Sequence, residues 1–173
     1  MIKRYCARRF KKLKWTFTGN IPKRIPRCII VAGPEITKSD FKLGIAVSYL
    51  ARYRTKFLIP EGYFIFPFKK LLKSAGGFSY DPQDEDRTIG ILANCFIDRK
   101  KFSIVTNWQS PSLEDPLHVP IFYQVAETSS IPIVMVAMDR RRKLIKFHGH
   151  FLPSGNQLRD LQFMTKYFST FQD

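Results

Sequence analysis

Cys28-Ile-Ile-Val-Ala-Gly-Pro-Glu-Ile-Thr-Lys-Ser-Asp40 is the stretch whose reading decides the fold. Ile29, Ile30, Val31 and Ala32 form a short apolar run, with Arg27 before it and Gly33-Pro34 after it. A run of this length between such neighbours reads as a buried strand. Two carboxylates, Glu35 and Asp40, follow the turn, and helical apolar spacing begins at Phe41. The order is therefore strand, tight turn, acidic loop, helix. In open α/β sheets, chemistry sits in the crevice at this carboxyl end of a strand.

The same alternation extends outward. Upstream, Trp15-Thr-Phe-Thr-Gly19 alternates apolar and polar residues and predicts a short strand, followed by a Pro-rich basic loop from Asn20 to Arg27. Downstream, Phe41, Ile45 and Tyr49 share one helix face and Leu43, Val47 and Leu50 another, which predicts a heavily buried helix. Lys56 to Pro60 reads as a strand. Tyr63, Phe64, Phe66 and Phe68 then crowd into six positions. Such a cluster is expected to pack in the core between a strand and a short helix. Its alternative is an exposed apolar surface for acyl chains or lipid.

Lys69 to Ala75 predicts a short basic helix stopped by Gly76-Gly77, and Phe78 to Tyr80 a short strand. Asp86 is the expected cap of a helix carrying Ile89, Leu92, Ala93 and Phe96. Phe102–Thr106 reads as a strand, Asn107 to Pro116 as a loop at its carboxyl end, and Val119–Thr128 as a helix. Ile131 to Met138 is the most apolar strand and the candidate sheet centre. Lys143–Phe151 alternates as one or two strands, and Asn156–Phe171 closes the chain as a helix. Strands alternating with helices define the expected fold class: α/β, a mostly parallel central sheet flanked by helices.

With 173 residues, including 16 Phe, 7 Tyr and 2 Trp, the chain can bury the core of one domain. Three cysteines without paired spacing, Cys6, Cys28 and Cys95, argue against a disulfide framework or a zinc site and favour a reducing compartment. No apolar run approaches the ~20 residues that span a bilayer, and the N-terminus does not read as a secretory signal.

The net charge of +15 is unevenly placed: residues 1–27 hold ten Lys or Arg and no acid. This divides the chain into a basic amphipathic N-terminal helix, 1–14, and a single α/β domain, 15–173. In the helix, Ile2, Cys6, Phe10 and Leu13 lie on one face, while Lys3, Arg4, Arg8, Arg9, Lys11, Lys12 and Lys14 cover the rest. An apolar stripe beside a cationic face suits a helix lying in an anionic lipid interface. The plainer reading is a solvated terminal helix that packs its stripe on the domain. Nucleic-acid binding is the weaker reading, because stacking aromatics interleaved with the charge are scarce.

These words in this order resemble the glycerolipid acyltransferase family of the lysophosphatidic acid acyltransferase type, over about Trp15 to Phe171. Ile29 to Phe41 is similar to the family's strand and its His-x-x-x-x-Asp loop. Phe66-Pro-Phe followed by Gly76-Gly77 is similar to the second block, and Ile131-Pro-Ile-Val-Met-Val to the fourth. Phe147 to Gly155, ending Leu-Pro-Ser-Gly, is similar to the closing stretch. The resemblance implies an acyl donor such as acyl-CoA or acyl carrier protein, a glycerol-type acceptor, no cofactor and no metal. It also implies a motif histidine acting as general base and an aspartate orienting its ring.

This sequence departs from that pattern at the charged positions. Glu35 stands where the histidine belongs, and Asp40 is kept. A carboxylate near pKa ~4.3 is a poorer base than an imidazole near ~6.5, although two close carboxylates raise one another's pKa. The Arg expected soon after Gly76-Gly77 is missing, and Arg87 is the nearest. The third block aligns with Thr106-Asn107-Trp108-Gln109-Ser110 and has lost both its charged residues. Gly76, Gly77, Arg87, Asn107, Trp108 and Gln109 are thus the candidate substrate-binding positions, and Glu35 and Asp40 the candidate catalytic pair.

Plainer roles stand beside these. Thr37-Lys-Ser-Asp40 fits a capping box. Ser39 has no partner histidine nearby. His148 and His150 share a strand side but lack a third metal ligand, and His118 has no evident role. Arg140 to Lys143 reads as a solvated turn. The expected protein is a peripheral one on the cytoplasmic face of the inner membrane, with an acyltransferase fold and impaired catalysis, binding an acyl chain, a lysolipid or a partner. Its alternatives are an active acyltransferase with a remodelled Glu35/Asp40 site and, more weakly, a basic nucleic-acid-binding module.

Overall fold

The structure is a computed structural model that describes residues 2–34, 36–37, 40–108 and 119–171. Strands β1 (Thr16–Gly19), β2 (Arg27–Gly33), β3 (Lys56–Pro60), β4 (Gly77–Tyr80), β5 (Phe102–Asn107), β6 (Ile133–Asp139) and β7 (Leu144–Phe151) form one seven-stranded sheet in the order β1-β7-β6-β2-β5-β3-β4. Every neighbouring pair is parallel except β6 with β7, which a short turn joins antiparallel. The α/β class and the mostly parallel sheet agree with the sequence expectation. The sheet centre does not: it is β2, and β6 lies beside it. Both strands are apolar enough to be covered on two sides, so apolarity alone could not rank them.

Alternation along β2 sets the two layers. Ile29 and Val31 face a core built with α4 (Glu85–Asp98), α5 (Ile121–Thr128) and α6 (Gln157–Ser169). Cys28 and Ile30 face a second core built with α1 (Ile2–Lys12), α2 (Asp40–Leu50) and α3 (Phe68–Ala75). A period of two on the strand thus feeds two helix layers. In α2, Ile45, Ala46 and Val47 are buried, while Tyr49 stays exposed. The cap of α4 is Asp84, not Asp86: its carboxylate accepts from the Arg87 N–H at 3.0 Å.

Helix α1 does not keep its apolar stripe free. Cys6, Ala7 and Phe10 are buried against the domain, and Leu13 lies beyond the helix and is exposed. The segment thus packs Cys6 and Phe10 of its stripe on the domain, as the plainer reading has it. Lys3, Arg4, Arg8, Arg9, Lys11, Lys12 and Lys14 all remain exposed.

The cluster at 63–68 goes the other way. Ile65 is 61% and Phe66 93% exposed, and Tyr63 and Phe68 are exposed as well. The expected core packing is overturned because only a single 3-10 turn, Glu61–Tyr63, and the short α3 follow β3, and nothing among the described residues covers their outer side.

At the sheet edge, Gly19 has φ +95, and an added Cβ would fall 2.0 Å from the Phe147 carbonyl oxygen. Gly19→Ala is expected to lower the unfolding free energy by about 1–2 kcal/mol, from left-handed strain and the displaced β1–β7 contact. Urea denaturation measures this, and an unchanged midpoint would contradict it.

Candidate functional site

Parallel strands emerge side by side, so their following loops meet. Strands β3, β4 and β5 lie on one side of β2, and β6 and β7 on the other. The carboxyl ends of β2 and β6 therefore flank a point where the chain direction across the sheet reverses, the place at which α/β sheets form binding crevices. Asp40 opens α2 just past β2, and Arg140 directly follows β6.

The two residues meet across 100 positions of sequence. Arg140 donates from Nη2 to Asp40 Oδ2 at 2.8 Å and from Nη1 to Oδ1 at 3.1 Å, a two-pronged fork on the carboxylate. Thr37 donates from its backbone N–H at 2.8 Å and its hydroxyl at 2.6 Å to Oδ2. The bond from the Thr37 N–H is the one that the capping-box reading requires. The Asp40 side chain is 4% exposed and that of Arg140 38%. Burial pushes the Asp40 carboxyl up, but the Arg140 fork and the Thr37 bonds outweigh it and hold the pKa below its ordinary value.

Arg140 was expected in a solvated turn. It is instead the principal partner of Asp40, and sequence reading missed it. The available signal was positional: a charged residue immediately after an apolar parallel strand lies at the functional end of the sheet.

Beside this ion pair, a cavity of about 760 Å³ runs between the sheet and the α2–α3 layer. Its size falls within the roughly 300–1,000 Å³ of small-molecule sites. Ile30 and Ala32 of β2, Phe57 and Ile59 of β3, and Val136 and Met138 of β6 form its floor. Phe41, Gly44 and Val47 of α2 form a wall, and Tyr63, Ile65 and Phe68 line it as well. Asp40, Thr37, Ser48, Thr55 and Asn107 are among the few polar positions. Such a lining suits an apolar chain with a polar group at one place.

The remaining candidates divide. Asn107 lines the cavity. Trp108 does not: it is buried in the opposite core, stacked on Phe168 with centroids 5.1 Å apart, and its backbone N–H donates to the Ala32 carbonyl. Its side chain thus packs in the core on the other face of the sheet from the cavity. Gly76 has φ 105 and caps α3, and a Cβ on Gly77 would come within 2.9 Å of the Leu72 carbonyl, so both glycines serve the α3–β4 turn. Arg87 lies exposed in the first turn of α4 and is not among the lining residues. Glu35, Ser39, Gln109 and His118 lie outside the described residues.

His148 and His150 are exposed on β7. The His148 ring packs against Tyr167 of α6 at 4.6 Å, on the face away from the cavity. Among the described residues no histidine lines the cavity, and no group of ligands could hold a metal ion. No helix among them is long and apolar enough to cross a membrane.

Sheet order, helix layers and the crevice at the β2–β6 ends define an α/β protein of the glycerolipid-acyltransferase-like fold. Among solved structures, the chain is similar to the 1-acyl-sn-glycerophosphate (LPA) acyltransferase PlsC from Thermotoga maritima, with a TM-score of 0.61 and 14% sequence identity over 98% of this chain and 76% of that one. At this identity the likeness is one of fold. No protein-family model and no curated protein matches the sequence.

Proposed function

We propose that this is a peripheral membrane protein that holds an acyl chain or lysolipid in the cavity beneath α2 and transfers it poorly or not at all. The observation that carries the reading is the Arg140 fork on Asp40. In the mechanism that the resemblance implies, this aspartate orients an imidazole. Here both its oxygens accept from a guanidinium, and the pKa is lowered. A carboxylate held ionised by an arginine is a weak base and a structural anchor. The apolar lining supports the acyl chain as ligand, and the acyltransferase-like fold supports a glycerolipid setting. The exposed cations of α1 support an anionic membrane surface as partner.

The test is transfer by the purified protein from acyl-CoA or acyl carrier protein to lysophosphatidic acid and uncharged glycerol acceptors. The expected result is no product above that of Asp40→Asn. Turnover abolished by Glu35→Ala would overturn the reading and establish a working carboxylate site.

A further inference from the structure

Helix α3 is amphipathic, and part of its apolar side faces solvent. Phe68, Leu71, Leu72 and Ala75 follow helical spacing. Ala75 is buried and Leu72 lines the cavity, but Phe68 and Leu71 are exposed. The approach to α3 adds Tyr63, Ile65 and Phe66, all exposed. Lys69, Lys70 and Lys73 are exposed on the same short helix. From Gly62 to Tyr80 the chain carries no acid. Helix α1, with its six exposed cations, touches α3.

We infer that the 63–71 segment is a membrane wedge: Ile65, Phe66 and Phe68 enter the headgroup–acyl boundary of an anionic bilayer, with the lysines of α3 and the cations of α1 set against its phosphates. Three observations select a bilayer over a protein partner. The patch is rich in aromatics and carries Lys69, Lys70 and Lys73 on the helix that continues it, the composition of an interfacial anchor. Apart from Glu61 at the start of the 3-10 turn, the charged residues adjoining it in the chain, through Tyr80, are all cationic, opposite in sign to anionic lipid. The patch is also continuous with the cavity, because Tyr63, Ile65 and Phe68 belong to both. A chain moving between bilayer and cavity thereby stays in apolar surroundings. The last point rests on the acyl-binding reading; the docking itself does not.

The test is vesicle sedimentation with phosphatidylcholine alone and with equal parts of phosphatidylcholine and phosphatidylglycerol. Wild type is expected to bind the anionic vesicles. Phe66→Ser and Ile65→Ser are expected to weaken binding by roughly tenfold or more, the scale of losing one buried large apolar side chain. The exposure of both positions leaves the fold intact, which circular dichroism checks. The indole introduced by Phe66→Trp is expected to shift to the blue on binding and to be quenched by brominated lipid. Wild type failing to bind, or both serine variants binding undiminished, would overturn the wedge. So would a dimer of the wild type that Phe66→Ser dissociates, which would give the patch to a second copy. Uptake of a fluorescent acyl probe below its micelle concentration, without vesicles, reads the cavity alone. Wild type that takes up the probe but does not dock on vesicles defeats only the wedge, and wild type that docks but takes up no probe defeats only the acyl-binding reading.

Discussion

Replacing Arg140 with Ala is expected to lower the unfolding free energy by about 2–3 kcal/mol. The variant leaves the Asp40 carboxylate buried with the Thr37 bonds but without its guanidinium. Stranding one partner of a fully buried pair costs more, about 3–5 kcal/mol. The smaller figure applies because Arg140 is 38% exposed, so water partly replaces it.

The same variant changes the response to acid. Asp40 has a folded pKa below its unfolded value, so its stabilisation is present above about pH 3.9 and is lost as the pH falls through the lower folded pKa. Without Arg140, burial is the largest influence on the carboxyl and pushes its pKa upward. Urea midpoints from neutral pH down to about pH 3 should therefore fall earlier for Arg140→Ala than for wild type. The pair Asp40→Asn with Arg140→Met should be nearly as stable as the better single variant, since neither charge is then stranded. Additive losses, or an unchanged acid profile, would show that the fork contributes no coupling.

Filling the cavity is expected to have the largest effect on binding. Ala32 lies on β2 in the cavity floor, and its carbonyl accepts the Trp108 N–H on the backbone. Ala32→Phe adds bulk there and leaves the strand's hydrogen bonds in place. Affinity for an acyl probe should drop by roughly 10–100-fold, the equivalent of several methylenes denied their apolar contact. Asn107→Ala, which alters a polar lining position, should have a smaller effect. The contrast distinguishes a site read by apolar volume from one read by hydrogen bonding. Equal affinity of Ala32→Phe and wild type would place the acyl chain elsewhere.

Much of the architecture was legible because apolar spacing is a local property. The runs at Cys28–Ala32 and Lys56–Pro60, and the helical spacing after Phe41, each pointed to an element without any knowledge of its partner. The candidate site was legible only in part. Asp40 could be singled out, and Thr37 with it, because the two are three residues apart. Arg140 could not be paired with them, since only the parallel pairing of β2 with β6 brings residues 100 apart together. The side of the sheet that Trp108 faces was not legible, because a motif position says which residue follows a strand, not which way it turns. It turned toward Gly33 and Phe168, where an added Cβ on Gly33 would lie 2.7 Å from the Trp108 Cβ.

The sequence by itself determined the order of strands and helices, the mostly parallel sheet that this order requires, and the concentration of cations at the N-terminus. The tertiary structure alone decided which apolar stripes are covered. Cys6 and Phe10 of α1 found a core, whereas Phe66 and Phe68 did not. Both stripes look alike in one dimension, because amphipathic spacing records that a face is apolar but not what meets it. Burial depends on distant elements arriving at the same place, and that information resides in the packing of the whole sheet.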